Sequence, residues 1–439
     1  MSRKLRVLVL TPYPLLPTTS GGRLYAASTV RPLADEVDFH LLALANPDER
    51  RELESQRDRL MAEYHRLFRT VEFDERPLIP TQLGSRARVV KHFLTHVARK
   101  LPLMDLSYYQ PRAVAKARAI VARHAIDLIE IHHLHCAFYR PFLPGVPALL
   151  INHNIESELW PFWPLTGGAA LEKRLWERMG RLSRRYAHAI EIENSFGFAA
   201  KLFISAADMA RVPEAACPRF LLPMTLDLDR TPKSFHDDRF VVLWIGGFFW
   251  EPNIDAVSWL LDEIWPLVKE RSSSPLELHI VGSGPPAALT RRHDGREVFV
   301  HGEVPDVDVF RRRADVLVAP LRQGGGVRIK IIEALNAGLP VVSTAKGCEG
   351  LPIAAGETLR VADDAASFAR ALLDLQGSSE LRRRLSAAGR RYCAAHHAPE
   401  VAREVKRHVY ATILGDAAGL PAAAAGEAAE VPQPSLANR

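Results

Sequence analysis

Apolar residues in this chain come largely in short unbroken runs, separated by longer stretches whose apolar positions recur at helical spacing. The runs of the first half are "LRVLVL", "VDFHLLAL", "DLIEIHH", "PALLINHN" and "KLFIS". From residue 240 the pattern restarts with "FVVLWIGG", "LELHIVGSG", "EVFVHGEV", "DVLVAPL" and "LPVVST". A short apolar run closed by turn residues reads as a strand covered on both faces. Between runs, "GGRLYAASTVRPLA" reads as helix, and so does 253–270, where Ile254, Val257, Leu260, Leu261 and Ile264 share a face. "LEKRLWERMGRLSRRYAHAI" reads as one long amphipathic helix, with Leu171, Leu175, Met179, Leu182 and Tyr186 on its packed stripe. Alternating strands and helices predict parallel sheets with helices on both faces. The two series predict two doubly wound α/β domains, 1–224 and 239–395. A polar linker at 225–238 joins them; a helix at 396–414 and an Ala/Pro-rich, disordered tail at 415–439 follow. A length of 439 residues agrees, since single cores split beyond roughly 250–300 residues.

Composition narrows the class. No run reaches the roughly 18 apolar residues of a membrane span, and Pro12 and Pro14 break the first strand-like run before it could serve as a secretion signal. Cys136, Cys217, Cys348 and Cys393 are scattered, as expected of thiols in a reducing, cytoplasmic compartment. The net charge of +6 is uneven. Arg76, Arg86, Arg88, Lys91, Arg99 and Lys100 lie in a stretch without an acid, among Leu83, Val89, Val90, Phe93, Leu94 and Val97. That stretch reads either as a basic amphipathic helix in peripheral contact with the inner face of an anionic membrane, or as the solvated face of a domain helix. No nucleic-acid-binding motif accompanies it.

In open α/β sheets ligands sit beyond the carboxyl ends of the strands, here expected between the two domains. The most informative strand end is "RQGGGVRIKIIEALNAG". Glycines 324, 325 and 326 let a backbone approach a ligand, and the helix start behind them offers unpaired N–H groups to an anion. Arg328 and Lys330 stand in the first helical turn, where the helix dipole disfavours cations unless an anion is bound. Glu333, one turn after Lys330, is placed either to accept from ligand hydroxyls or to pair with that lysine. Gly246 and Gly247, Gly282 and Gly284, and Gly21 and Gly22 occupy the same end of other strands.

The order of "TPYPLLPTTSGGR", "VLWIGGFFWEPNIDAVSWLLDEIWP", "LHIVGSGP", "FVHGEVPDV", "PLRQGGGVRIKIIEALNAGLPVVST" and "GCEGL" resembles family 4 glycosyltransferases. The resemblance implies the GT-B fold, two Rossmann-like domains facing across a cleft, and transfer from a nucleoside-diphosphate sugar with retention. By the same resemblance, Glu333 matches the second glutamate of the family's E-x7-E element and would bind the donor ribose. The first glutamate falls at Gly325, so its contacts would pass to the backbone of Gly325 and Gly326. The family's Arg and Lys after the first strand of the second domain are replaced by "GGFFWEPN". Arg328 and Lys330 are then left to hold the diphosphate, with Gly246 and Gly247 beside it. His301 and Gly302, with Gly282 and Gly284, would flank the base. Gly21 and Gly22 would face phosphates and acceptor. His153 in "LLINHNIES" matches the histidine that faces the donor sugar, and a pKa near neutrality would suit that role. Glu156 and Glu158 read either as assisting carboxylates or, preferably, as exposed helix-start carboxylates.

No cofactor or metal is expected beyond the nucleotide-sugar co-substrate. The acceptor would be a glycan, a lipid-linked sugar or a small hydroxylated metabolite. The spacing of His132, His133 and His135 invites a metal reading, but His132 and His133 would face opposite ways along a continuing strand, and the three read rather as lining the cleft or ending the strand. The D-x-D pairs Asp227–Asp229 and Asp306–Asp308 lack the strand context of a metal motif. Two other functions share this sequence frame. A sugar-nucleotide 2-epimerase would use the same donor site but needs carboxylates for proton transfer, and Gly325 stands where one could have been. A non-catalytic sugar-nucleotide-binding protein fits the missing Glu and Arg/Lys positions.

Overall fold

Among the described residues, thirteen strands form two separate, wholly parallel sheets, each in its own compact unit of a computed structural model. The structure describes residues 3–76, 110–159, 170–353 and 356–415, with Leu94, Ala98 and Tyr108. One unit holds the chain up to Met224 and takes it back from Pro399; the other begins at Thr225 and ends at Ala398.

The first sheet comprises β1 (Arg6–Thr11), β2 (Asp38–Ala45), β3 (Thr70–Glu75), β4 (Leu128–His132), β5 (Ala148–Asn152), β6 (Ala200–Phe203) and β7 (Arg219–Leu221). Their spatial order is β3-β2-β1-β4-β5-β6-β7. The order reverses between β1 and β4, where Val7 pairs with Leu128 and Leu10 with Ile131. The second sheet comprises β8 (Phe240–Ile245), β9 (Leu276–Val281), β10 (Val298–Gly302), β11 (Val316–Ala319), β12 (Val341–Ser343) and β13 (Arg360–Val361), in the order β10-β9-β8-β11-β12-β13. Its reversal lies between β8 and β11. The apolar runs mark the central strands, buried on both faces as a helix-covered parallel sheet requires. The pattern misses β3, β7 and β13, which lie at or next to sheet edges and are only partly buried.

The expected 253–270 helix is present as Glu251–Trp259, a π-type turn Leu260–Ile264 and Trp265–Arg271, with Val257, Leu260, Leu261 and Ile264 buried. The long helix runs Ala170–Glu191, and the side chains of Leu171, Leu175 and Met179 on its expected stripe lie outside the described residues. Ser183, Ala187 and Ile190 are buried, while Leu182 and Tyr186 are only partly so.

The helix Pro399–Leu414 belongs to the first unit. Lys406, fully buried over the Phe39 ring, donates to Glu130 Oε2 at 3.0 Å and to the Thr29 carbonyl at 2.7 Å. Tyr410 donates to the other Glu130 oxygen at 2.5 Å. Burial lowers the Lys406 pKa and Glu130 opposes that shift.

Arg76, read above as part of a basic surface, is buried: it pairs with Glu49 at 3.2 Å and stacks on Tyr108. The rest of that stretch lies outside the described residues apart from Leu94 and Ala98, and so does the tail beyond 415. Among the described residues, no helix is long and apolar enough to cross a membrane.

Candidate active site

At the reversal of the second sheet, β11 runs into the glycine loop and then into the helix Ile329–Asn336. That helix starts later than expected, so Arg328 is its N-cap residue and not part of the first turn. Gly324 has φ of +98°, a region costly for any residue with a Cβ. A Cβ there would also stand 2.6 Å from the Trp250 indole. The same indole lies 4.9 Å from the Arg328 guanidinium. Arg328 is 6 % exposed; among the described residues it donates one hydrogen bond, to the Gly325 carbonyl, and its buried Nε and Nη2 have no partner. Lys330 donates to the Ile245 carbonyl at 2.7 Å and sits 4.7 Å above the Trp244 ring. Its contact with Asn253 Oδ1 is long, at 3.4 Å. Burial lowers Arg328 to about 10, and burial together with the Arg328 charge lowers Lys330 to about 7. Unpartnered buried donors are costly, and a bound anion would satisfy them.

Glu333 does not pair with Lys330. Its Oε2 accepts from Arg311 at 2.7 Å, and burial raises its pKa although Arg311 opposes the shift. Gly246 donates its amide to Val281 O at 3.0 Å, and Gly282 donates to Gly302 O at 2.8 Å, so both amides are committed within the sheet. The Gly247 carbonyl accepts from Asn253 at 2.7 Å. Gly284 has open space around it, and Gly302 ends β10 where the β9–β10 register shifts. His301 is exposed, bonds His279 at 2.8 Å and stacks on it. The D-x-D pairs serve turns: Asp229 Oδ1 accepts from the Thr231 amide, and Asp306 Oδ1 from that of Asp308.

In the first unit the loops after β1, β4 and β5 also meet at one sheet end. Ser20 caps the helix Gly21–Val30, and a Cβ on Gly22 would fall 2.5 Å from the Tyr13 hydroxyl and 3.7 Å from His153 Nδ1. Only glycine permits that approach. His153 follows β5 and is 8 % exposed. Its Nδ1 meets the Tyr13 hydroxyl at 3.2 Å, its Nε2 meets His132 Nδ1 at 3.3 Å, and Tyr25 packs edge-on against the ring. If Tyr13 donates to Nδ1, then Nε2–H donates to His132 Nδ1, which leaves the buried His132 Nε2 without a partner among the described residues. Burial, then His135, lowers the His153 pKa to about 3. The expectation of a near-neutral value is therefore corrected: this imidazole stays uncharged because it is dry.

His133 does not continue β4. Its φ of +71° ends the strand, so the alternating directions expected of His132 and His133 do not arise. Glu156 is not the exposed carboxylate expected: its side chain is 13 % exposed and lies 3.1 Å from His133 Nε2. Buried Glu191 fixes this position by accepting the Glu156 and Ser157 amides at 2.9 and 2.8 Å. The side chain of Glu158 lies outside the described residues. The sequence reading did not single out Tyr13, Trp250 or Glu191. The first two lie inside quoted motifs, whereas Glu191 carried no local signal.

Comparisons with known proteins bear on the fold and on the second unit. Residues 239–377 match the family described as glycosyl transferases group 1. A curated relative, an uncharacterized 44.6 kDa protein in the cps region of Klebsiella pneumoniae, is 26 % identical over 141 residues. The match covers 30 % of this chain and 36 % of that protein, about a third of the relative's length. A glycosyltransferase from Rickettsia africae superposes with a TM-score of 0.58 at 11 % identity, covering 94 % of this chain and 100 % of that one. HepE from Anabaena, solved with UDP, gives 0.59 at 14 % identity, over 92 % and 99 %. The fold is the GT-B arrangement of two Rossmann-like α/β units known from glycosyltransferases, and the unit bearing the glycine loop carries the group 1 match.

Proposed function

We propose that this protein is a retaining, metal-independent glycosyltransferase. It moves a sugar from a nucleoside-diphosphate sugar to a hydroxyl of a glycan, a lipid-linked sugar or a small metabolite, in polysaccharide assembly. One observation carries the reading: Arg328, buried beside Lys330 at a sheet reversal, keeps two nitrogens unpartnered. The group 1 match over that unit, the UDP held by HepE and the cps-region location of the Klebsiella relative support it.

In this reading the bond from the anomeric carbon to the β-phosphate oxygen breaks as the acceptor oxygen bonds on the same face. The acceptor proton passes to the departing phosphate. Arg328 and Lys330 offset the charge that develops there, with the backbone of Gly325 and Gly326 beside them. Glu333 meets the ribose hydroxyls, and His301 and Gly302 flank the base. The Gly21–Gly22 loop faces phosphate and acceptor. His153, uncharged, meets a sugar hydroxyl by exchanging its Tyr13 contact.

The test is donor hydrolysis by the purified protein over UDP-, GDP-, ADP- and dTDP-sugars with EDTA present. Slow release of free sugar from one donor, lost in Arg328→Ala, is expected. Isomerised donor without sugar release would identify an epimerase. Binding without turnover, even with glycan acceptors supplied, would identify a sugar-nucleotide-binding protein.

A further inference from the structure

We propose that His133, His135 and Glu156 form a binding site for a divalent transition-metal ion of the zinc class. Their ligating atoms lie within 4.8 Å of one another, in a part of the first unit that the diphosphate chemistry does not use. A tetrahedral zinc centre has metal–ligand bonds of about 2.0–2.1 Å, which sets neighbouring ligand atoms about 3.3 Å apart. The His133 Nε2–Glu156 Oε1 separation of 3.1 Å is already close to that spacing. Two imidazoles and a carboxylate suit borderline ions such as Zn²⁺ and Co²⁺, and leave one position for water.

The surroundings pack closely around these side chains, and because the His133 and His135 rings stack nearly parallel, one ring must turn about χ2 to share an ion with the other. The Arg76 guanidinium, the Tyr108 ring and the imidazoles of His135 and His133 form a continuous stack, with successive spacings of 4.6, 4.5 and 4.2 Å. Glu49 anchors Arg76 at the far end of that stack. On the other side, buried Glu191 fixes the backbone at Glu156 through two amides. His133 keeps a φ of +71°, unusual for a residue with a side chain. Strain of this kind persists where the surroundings over-determine the position, and it clusters at ligand sites. Along the chain Glu130 lies two residues before His132 but pairs with Lys406; folding brings Glu156 in from the loop after β5.

The ion would stiffen the loops after β4 and β5 next to His153, whose ring centre is 5.3 Å from that of His133. Phosphate chemistry stays with Arg328 and Lys330, so this inference can fail while the transferase reading stands, and the reverse. The experiment uses the full chain without a histidine tag, stripped with chelator. It is titrated with Zn²⁺ against a chromophoric competitor and, separately, with Co²⁺ followed by visible d–d absorption. One Zn²⁺ per chain and a tetrahedral Co²⁺ spectrum are expected. Glu156→Gln and His135→Ala should each weaken binding at least tenfold, while exposed His293→Ala leaves it unchanged. Glu156→Gln is nearly isosteric and decides the matter if His135→Ala disturbs the stack, with near-UV circular dichroism confirming its fold. No Zn²⁺ held against the competitor, or equal affinity in wild type and Glu156→Gln, would overturn the proposal.

Discussion

The sheet reversals of the two units solve opposite problems with similar loops. In the first unit uncharged rings and carboxylates at the strand ends meet one another, with Tyr13 on His153, His153 on His132 and His133 on Glu156, although His132 Nε2 and His133 Nδ1 keep no partner among the described residues. In the second, Arg328 and Lys330 are buried over tryptophan rings with only carbonyl and amide oxygens for partners. A buried lysine in each unit makes the contrast concrete. Lys406 has the Glu130 carboxylate; Lys330 has no carboxylate in contact. The first arrangement gathers its polar groups within the fold; on the proposed reading, the second holds buried positive charge for an incoming anion.

The contrast can be broken in several ways. The largest effect is expected on stability. Lys406→Ala leaves Glu130 buried and unpaired, so unfolding should become easier by about 3–5 kcal/mol in denaturant titrations. Nucleotide affinity should be unaffected; a mild effect on stability would dissolve the distinction between the lysines. Arg328→Ala should do the reverse. Nucleoside-diphosphate affinity, read by calorimetry, should fall about a hundredfold, in the range seen for removing one partner of a buried charge pair. Its thermal midpoint should hold or rise, because a costly buried charge has gone.

Smaller effects concern protons. The folded-state pKa of His153 is about 3 against 6.5 ordinarily. Its contribution to stability is therefore present above pH 6.5 and lost as pH falls toward 3, because the unfolded chain binds the proton first. At pH 5 this amounts to about 2 kcal/mol, and His153→Asn should flatten the acid limb of a stability–pH curve by about that much. His132 and His133 shift in the same direction, so some slope should survive. In the second unit Lys330 titrates near 7 when no anion is bound. An anion favours its charged form, so nucleotide binding should weaken as pH rises above 7, approaching tenfold per unit. Lys330→Arg should abolish that slope, and an equally steep curve in the variant would remove Lys330 from the site.

What the sequence made legible follows from the range of the interactions. Central strands announce themselves because burial on both faces demands an unbroken apolar run, as in "LRVLVL" and "FVVLWI". "TVEFDE" is half-polar because β3 is an edge strand, and local pattern alone does not separate it from a loop. His153 and the glycine loop were readable because both sit where a strand ends. The pKa of His153 was not, since it depends on Tyr25, His132 and His135 closing around the ring. Nor did spacing reveal that Trp250 would stack on Arg328, that Arg311 would claim Glu333, or that Glu156 would reach His133. Each of these contacts joins residues from different elements.

The pairing of Lys406 with Glu130 also bears on how the protein is made. Residues 399–414 leave the ribosome only after all of 225–398 has been synthesised. Until then the first sheet exists without the helix that neutralises Glu130, and β4 carries a carboxylate facing an unfilled apolar groove beside Phe39. Domains usually complete folding in the order of their synthesis. Here the unit that starts first must finish last, and a nascent chain arrested before Lys406 emerges should remain open to protease in its first unit while its second is already resistant.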